Sequence, residues 1–184
     1  ARIVVKIEKP EAVEKLDEII EVTDAVMIAR GDLGVEIPME EVPLIQREII
    51  EKCLSTSRPV IVATQMMESM IENSTPTRAE VNDVASAVFD GTDAVMLSAE
   101  TSVGKFPVHT VQAMCQIIKT TEDSNEKAFN ERPPYNPDDD RFITDSICYN
   151  ACRLARRTKA AAIVAMTYSG YTAMKVSSQR PKAH

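Results

Sequence analysis

Aromatic side chains make up only 4% of this 184-residue chain. A core resting on aromatic anchors is therefore excluded, and one built from Val, Ile, Ala and Met is expected. No apolar run approaches the ~20 residues a membrane span needs, so no membrane partner is expected. No signal-peptide pattern stands at the beginning, and the absence of Met at position 1 predicts that the native start is missing. Basic residues are outnumbered, giving a formal charge of −7, which argues against a nucleic-acid scaffold. The four cysteines, Cys53, Cys115, Cys148 and Cys152, include no CxxC pair. They read as packing thiols of a reducing compartment, with Cys148 and Cys152 one helical turn apart, and the expected location is the cytoplasm. Neither GxGxxG nor GxxxxGK(S/T) occurs, so nothing favours a nucleotide-binding sheet.

What is present is an alternation. Ile3–Ile7, Ala25–Ala29, Val60–Ala63 and Ala94–Leu97 are short, nearly continuous apolar runs, the pattern of strands buried on both faces of a parallel sheet. A helical stripe follows each. Val13, Leu16, Ile19 and Ile20 follow the first, behind Pro10. Ile45, Ile49, Ile50, Cys53 and Leu54 follow the second, behind Pro43. Thr77 and Glu80 suit a capping box before Val81, Val84, Ala85 and Val88, and Gly91 stands where that helix would stop. Val108, Val111, Cys115 and Ile118 mark the fourth. The stretch Asp24-Ala25-Val26-Met27 recurs as Asp93-Ala94-Val95-Met96, a separation of about two βα units. Four consecutive units predict an α/β fold, either half of a (β/α)₈ barrel or a doubly wound sheet.

Asn130 to Arg141, rich in Pro, Asp and Asn, has linker composition. Beyond it a helix is expected over Ile143–Arg157, a buried strand over Ala161–Met166 and a helix over Tyr171–Gln179. The organisation predicted is a half-barrel over residues 1–131, a linker over 132–140 and the start of a second α/β domain over 141–184.

In such barrels the chemistry lies at the C-terminal strand ends. The first strand ends Lys6-Ile7-Glu8, and side chains two apart share a face. The second ends Arg30-Gly31-Asp32, the third Thr64-Gln65, the fourth Ser98-Ala99-Glu100. Taken singly, these are ordinary surface, salt-bridge or capping residues. Spaced one βα unit apart, they converge on one mouth. Two carboxylates beside a lysine suit a hard divalent cation such as Mg²⁺, and Gly31 lets backbone N–H groups approach an anion.

The segments VVKIE (4–8), MIARGDLGVEIP (27–38), PVIVATQMMESMI (59–71), PTRAEVNDVASAVFDGTDAVMLSAET (76–101) and GKFP (104–107) closely resemble pyruvate kinase in order and spacing. The resemblance covers residues 1 to about 128, and less tightly the region after the linker. It implies the second half of that family's TIM (β/α)₈ barrel, followed by the beginning of its C-terminal effector domain. It further implies phosphoryl transfer from phosphoenolpyruvate to ADP, giving pyruvate and ATP in glycolysis. Position by position, Glu8 and Asp32 are implied as ligands of Mg²⁺ or Mn²⁺, and Lys6 as the cation steadying the transferring phosphoryl and the enolate oxygen. Gly31, Asp32 and Thr64 are implied as the seat of the substrate carboxylate. Thr64 is also implied in the proton path to the enolate carbon, through a water or relay, with Ser98 a lesser member. Arg30 and Glu100 are expected to hold this shell in place.

Thr167-Tyr168-Ser169-Gly170-Tyr171-Thr172 resembles the TxSGx(S/T) sugar-phosphate loop of effector-regulated members, which implies an effector phosphate on Thr167, Ser169, Gly170 and Thr172. Tyrosines stand where basic residues are common in fructose 1,6-bisphosphate-regulated members, and an ordinary helix-capping turn is the alternative. The family's first four barrel strands, lid domain and K⁺ ligands have no counterpart in this chain. The expectation is a fragment that is inactive alone, from a protein that is a homotetramer at full length. Two other readings stay open: another Mg²⁺-dependent phosphoenolpyruvate- or pyruvate-handling barrel of enolate chemistry, and a non-catalytic sugar-phosphate-binding module.

Overall fold

The computed structural model describes residues 1–124, 133, 134 and 136–184. The chain divides into two compact units, Ala1–Lys127 and Ala128–His184.

The first unit alternates strands and helices as the apolar runs predict. Strand β1 (Val4–Ile7) leads into α1 (Pro10–Glu14) and α2 (Leu16–Val22). Pro10 opens α1, where its missing N–H costs nothing. Strand β2 (Ala25–Ala29) runs directly into α3 (Arg30–Glu36), and α4 (Val42–Ser55) follows with Pro43 in its first turn. Strand β3 (Val60–Ala63) precedes a 3₁₀ turn at Glu68–Ile71 and α5 (Arg78–Asp90). Strand β4 (Ala94–Met96) precedes α6 (Ala99–Ser102) and α7 (Pro107–Ser124). The predicted capping box forms: Thr77 Oγ1 accepts the Glu80 N–H, and the Glu80 carboxylate accepts the Thr77 N–H. Gly91, at φ +94°, closes the same helix in the left-handed region that glycine tolerates.

All four strands are parallel, in the spatial order β1-β2-β3-β4. A doubly wound sheet reverses its strand order at a switch point. An unreversed order, each strand beside its predecessor, is the pattern of a barrel wall. Register carries Val5, Val26 and Val60 on one row, and Ile7, Ile28 and Val62 on the next. These side chains meet Leu16, Ile20, Ile49, Ile50, Cys53, Val84, Ala87 and Met114 from the helices, and Met66, Met67 and Met70 from the β3 loop, in one apolar core. A fully buried aliphatic side chain contributes about 1.5–3 kcal/mol, so this layer sets the stability of the unit.

Two expectations need correction here. The strands are not buried on both faces: helices cover one, whereas Val4, Lys6 and Ala94 on the other are exposed and Met27, Ile61 and Met96 half-buried. That second face points to the inside of the curved wall, which four strands cannot close. On α7 the predicted stripe is largely the outer one. Val108 is 64% and Val111 45% exposed, and Cys115 is exposed. The core receives Thr110, Met114 and Thr121 instead. Thr110 and Thr121 bury because each hydroxyl donates to the carbonyl one turn back, Phe106 and Ile117.

In the second unit α8 (Phe142–Thr158) and α9 (Tyr171–Ser178) match the predicted helices closely, and α8 buries Cys148, Tyr149, Cys152 and Ala155. The strand expected at Ala161–Met166 is not formed, and Val164 and Met166 are 89% and 94% exposed. An apolar run becomes a strand only with a ladder partner. Among the described residues its one backbone partner is His184, whose N–H donates to the Ala161 carbonyl and whose carbonyl accepts from Ile163. Of the predicted linker Asn130–Arg141, residues 130–132 and 135 lie outside the described residues. The remainder, from position 133 to 141, forms neither helix nor strand.

All four cysteines are free. Burial pushes the Cys53 thiol up to about 12 and raises those of Cys148 and Cys152. Treatment with a disulfide reagent at neutral to mildly alkaline pH is expected to label Cys115 rapidly and the other three only on unfolding. Mass mapping that found Cys53 in the fast phase would contradict this packing.

Candidate functional site

The ends of the first three strands meet in two clusters that share the start of α3, and the fourth end stands apart from both. Lys6 and Glu8 lie two apart at the end of β1, and Asp32 stands in the first turn of α3. The β1–β2 register, Ile7 beside Ile28, brings these two ends level. The Lys6 ammonium reaches both carboxylates, at 2.5 Å from Glu8 Oε2 and 2.7 Å from Asp32 Oδ2. The hydrogen bonds that Lys6 donates to Asp32 and then Glu8 push its pKa up to about 12, and the first of these bonds lowers that of Asp32. Lys6 is thus charged up to about pH 12, and Asp32 ionised below its ordinary range. These side chains are 36–57% exposed. Such a pair adds little to stability in water. Its worth lies in presenting two oxygen donors and one cation at a single accessible point.

The second cluster joins β2 to β3. Thr64 Oγ1 accepts the Gly31 N–H at 2.7 Å and donates to the Ala63 carbonyl at 2.7 Å. A Cβ on Gly31 would lie 3.3 Å from Thr64 Oγ1, so the missing side chain allows this approach. Thr64 and Gln65 are both left-handed, at φ +67° and +53°. For a β-branched residue that is a true outlier, costing about 1–3 kcal/mol. The sequence shows no sign of it, since left-handed positions are sought at Gly or Asn. The Arg30 guanidinium grips this turn, donating through Nη2 to the Thr64 carbonyl at 2.7 Å and through Nη1 to Asp83 at 2.7 Å. Asp83 is 53 residues away. Sequence separation of that size leaves no local pattern. A cleft of about 330 Å³ opens beside Arg30, Gly31, Val35, Met39, Gln65 and Asp83, without Lys6 or Glu8 in its wall.

At the fourth strand end, Glu100 is 2% exposed. It accepts the Ser98 N–H at 2.7 Å and the Met67 N–H at 3.2 Å. It therefore fixes the backbone of Ser98 against the β3 loop and does not face the solvent mouth.

The donor set suits a hard divalent cation: carboxylate oxygens from two adjacent strands, open to solvent, with no sulfur or imidazole among them. Among the described residues no three His, Cys, Asp or Glu side chains gather at one point. Two carboxylates are enough for Mg²⁺, which keeps its remaining positions for water or phosphate oxygens.

In the second unit the Thr167 hydroxyl accepts the Gly170 N–H at 3.1 Å, and Ser169 Oγ accepts the Tyr171 N–H at 3.4 Å. Gly170, at φ +83°, leads into α9, whose second residue is Thr172. Tyr168 is fully exposed. Tyr171 turns inward: its hydroxyl donates to Asp145 at 2.7 Å and its ring lies under Arg141. Burial, followed by the Asp145 bond, pushes its pKa up to about 12.

Comparison with known proteins finds two family models along the chain. One described as the pyruvate kinase barrel domain matches residues 1–111, and one described as the pyruvate kinase alpha/beta domain matches residues 145–184. The chain is 50% identical to a pyruvate kinase of Geobacillus stearothermophilus over 184 residues, covering 99% of the chain and 31% of the relative. It is 51% identical to a pyruvate kinase of Mycobacterium intracellulare over 177 residues, covering 95% and 36%. A crystal structure of a pyruvate kinase from Cryptosporidium parvum superposes with a TM-score of 0.85 at 38% identity, covering 99% of the chain and 37% of that structure. The chain thus spans about a third of the length of the curated relatives it matches.

Proposed function

The chain belongs to the pyruvate kinase family, and we propose that it supplies half of the catalytic barrel of an enzyme transferring a phosphoryl group from phosphoenolpyruvate to ADP. The observation that carries this reading is the Lys6 ammonium held between Glu8 and Asp32 across two strand ends. In the reaction the bond from phosphorus to the enol oxygen breaks and one to the terminal oxygen of ADP forms. The enolate left behind takes a proton on carbon, giving pyruvate. Such chemistry demands positioning and charge stabilisation more than covalent participation. Lys6 lies where it can neutralise charge on the phosphoryl group and the enolate oxygen. Glu8 and Asp32 hold Mg²⁺ or Mn²⁺, which when bound supplies further neutralisation of phosphate charge. The N–H groups of Gly31 and Asp32, with Thr64 Oγ1, seat the substrate carboxylate, which then takes over the N–H that Gly31 now gives to Thr64. Thr64 is proposed as a member of the path by which the proton reaches carbon, with Ser98 a lesser member.

The domain reading carries over with this proposal: a half-barrel over 1–131, a linker over 132–140 and the opening of an α/β effector-type domain over 141–184. Thr167, Ser169, Gly170 and Thr172 are proposed as the seat of an effector phosphate, and the complete enzyme as a cytoplasmic homotetramer. Among the described residues no helix is long and apolar enough to cross a membrane.

Because β1 and β4 are open edges of the described sheet, the 184-residue chain alone is expected to give no turnover, whereas the complete enzyme with the rest of the barrel forms ATP. A coupled assay with phosphoenolpyruvate, ADP, Mg²⁺ and K⁺ decides. Absence of ATP formation by the complete enzyme would remove this reading in favour of another enolate-handling barrel. Turnover by the isolated chain would remove the half-site account.

A further inference from the structure

The geometry points to Arg30 as a positioning residue that holds the Thr64–Gln65 turn in its left-handed state and thereby ties the Asp32 end of the site to the Thr64 end. For its kinetic part this inference rests on the function proposed above. Arg30 is the first residue of α3, so its backbone leads straight into Gly31 and Asp32. Its side chain crosses to the neighbouring strand end, where Nη2 meets the Thr64 carbonyl at 2.7 Å and Met66 Sδ at 2.8 Å. Nη1 meets Asp83 at 2.7 Å and Gln46 Oε1 at 3.4 Å. The side chain is only 11% exposed.

Two features separate this from a routine buried ion pair. The carbonyl that Arg30 grips belongs to the strained residue itself. A Thr at φ +67° followed by Gln at +53° persists only where the surroundings over-determine it. Arg30 Nε is also buried with no partner among the described residues. The arginine is therefore not placed for the fullest hydrogen bonding, and what its position secures is the fork between Asp83 and the Thr64 carbonyl. A planar guanidinium can serve both at once through different nitrogens, whereas the single ammonium of lysine cannot keep that geometry. If the grip is lost, Thr64 can relax to negative φ, and its hydroxyl leaves the carboxylate seat beside Gly31.

The test uses the complete enzyme with Arg30→Lys, with and without Gln65→Gly, which lowers the cost of the left-handed turn. Arg30→Lys is expected to lower kcat about 100-fold, the scale of an ångström-sized misplacement. Mn²⁺ affinity, read by electron paramagnetic resonance without turnover, is expected to stay within about twofold, since Lys6, Glu8 and Asp32 are untouched. Adding Gln65→Gly is expected to recover at least about tenfold of the loss. A kcat near wild type, a loss that Gln65→Gly does not relieve, or an equal loss of Mn²⁺ affinity would each overturn the inference. Should Arg30→Lys not fold, Asp83→Asn, which weakens the same fork from its far side, is expected to show a smaller loss with the same rescue, and no loss would overturn it. A crystal structure of the variant reads the Thr64 dihedral directly. A retained left-handed Thr64 would overturn the inference even if the wild-type enzyme made no ATP, a result that would count against the function instead.

Discussion

Replacing Lys6 by Met is expected to lower the kcat of the complete enzyme by about 10²–10³-fold, the loss seen when one preorganised charge-stabilising donor is removed from a developing anion. The structure gives two reasons to expect the upper end. Lys6 is the cation shared by Glu8 and Asp32, so its loss removes the protein cation that both carboxylates contact there. The second reason is the state of its charge. Both carboxylates raise its pKa to about 12, so its stabilising proton is present at neutral pH and is lost only as pH rises toward that value. The alkaline limb of a pH–rate profile below about pH 10 is then not the titration of Lys6. Arginine at this position keeps the charge, and should recover part of the rate where methionine does not. Steady-state kinetics of both variants check this, and a Lys6→Met enzyme within about tenfold of wild type would place the charge elsewhere.

Gly104→Ala is expected to destabilise the barrel unit by about 3 kcal/mol, the upper range for overpacking, lowering its melting temperature by roughly 6–12 °C. A Cβ at Gly104 would lie 2.3 Å from the Glu100 carbonyl oxygen, 3.0 Å from the carbon behind it and 3.3 Å from Ile71 Cα. All three are backbone atoms, so no rotamer change relieves the contact. The main chain of α6 must move away from the 3₁₀ turn. That movement also disturbs Glu100, whose carboxylate holds the N–H groups of Ser98 and Met67. Calorimetry of the variant should therefore show lowered stability together with a lowered kcat, coupled through Ser98. A Gly104→Ala protein melting at the wild-type temperature would mean that α6 is free to shift.

The chain wrote its sheet plainly and its site only in part. Four apolar runs at βα spacing were enough to find the strands, and Lys6, Glu8, Asp32 and Thr64 could be placed at one mouth because strand ends repeat at regular intervals. What failed has several causes, some local and some remote in sequence. The α7 stripe was misread because Thr110 and Thr121 satisfy their hydroxyls within their own helix, a saving invisible to a hydrophobic count. Ala161–Met166 has the composition of a strand but, among the described residues, finds only His184 to pair with. The left-handed Thr64 and Gln65 carry no glycine to announce them. Asp83 reads as one more solvated helix acid until Arg30 is brought across to it. Composition and period thus report what an element is, whereas strain and long-range grips emerge only when the elements are assembled.

Glu8 and Asp32, from neighbouring strand ends, are proposed to form one divalent-cation site. Titrating Mn²⁺ into the complete enzyme and following the free-ion signal by electron paramagnetic resonance tests this without relying on turnover. Saturable binding is expected in the wild type and should be weakened at least about tenfold in Glu8→Gln and equally in Asp32→Asn, since disturbing even the groups that merely support metal ligands costs that much. Mn²⁺ affinity unchanged in either variant would contradict the account.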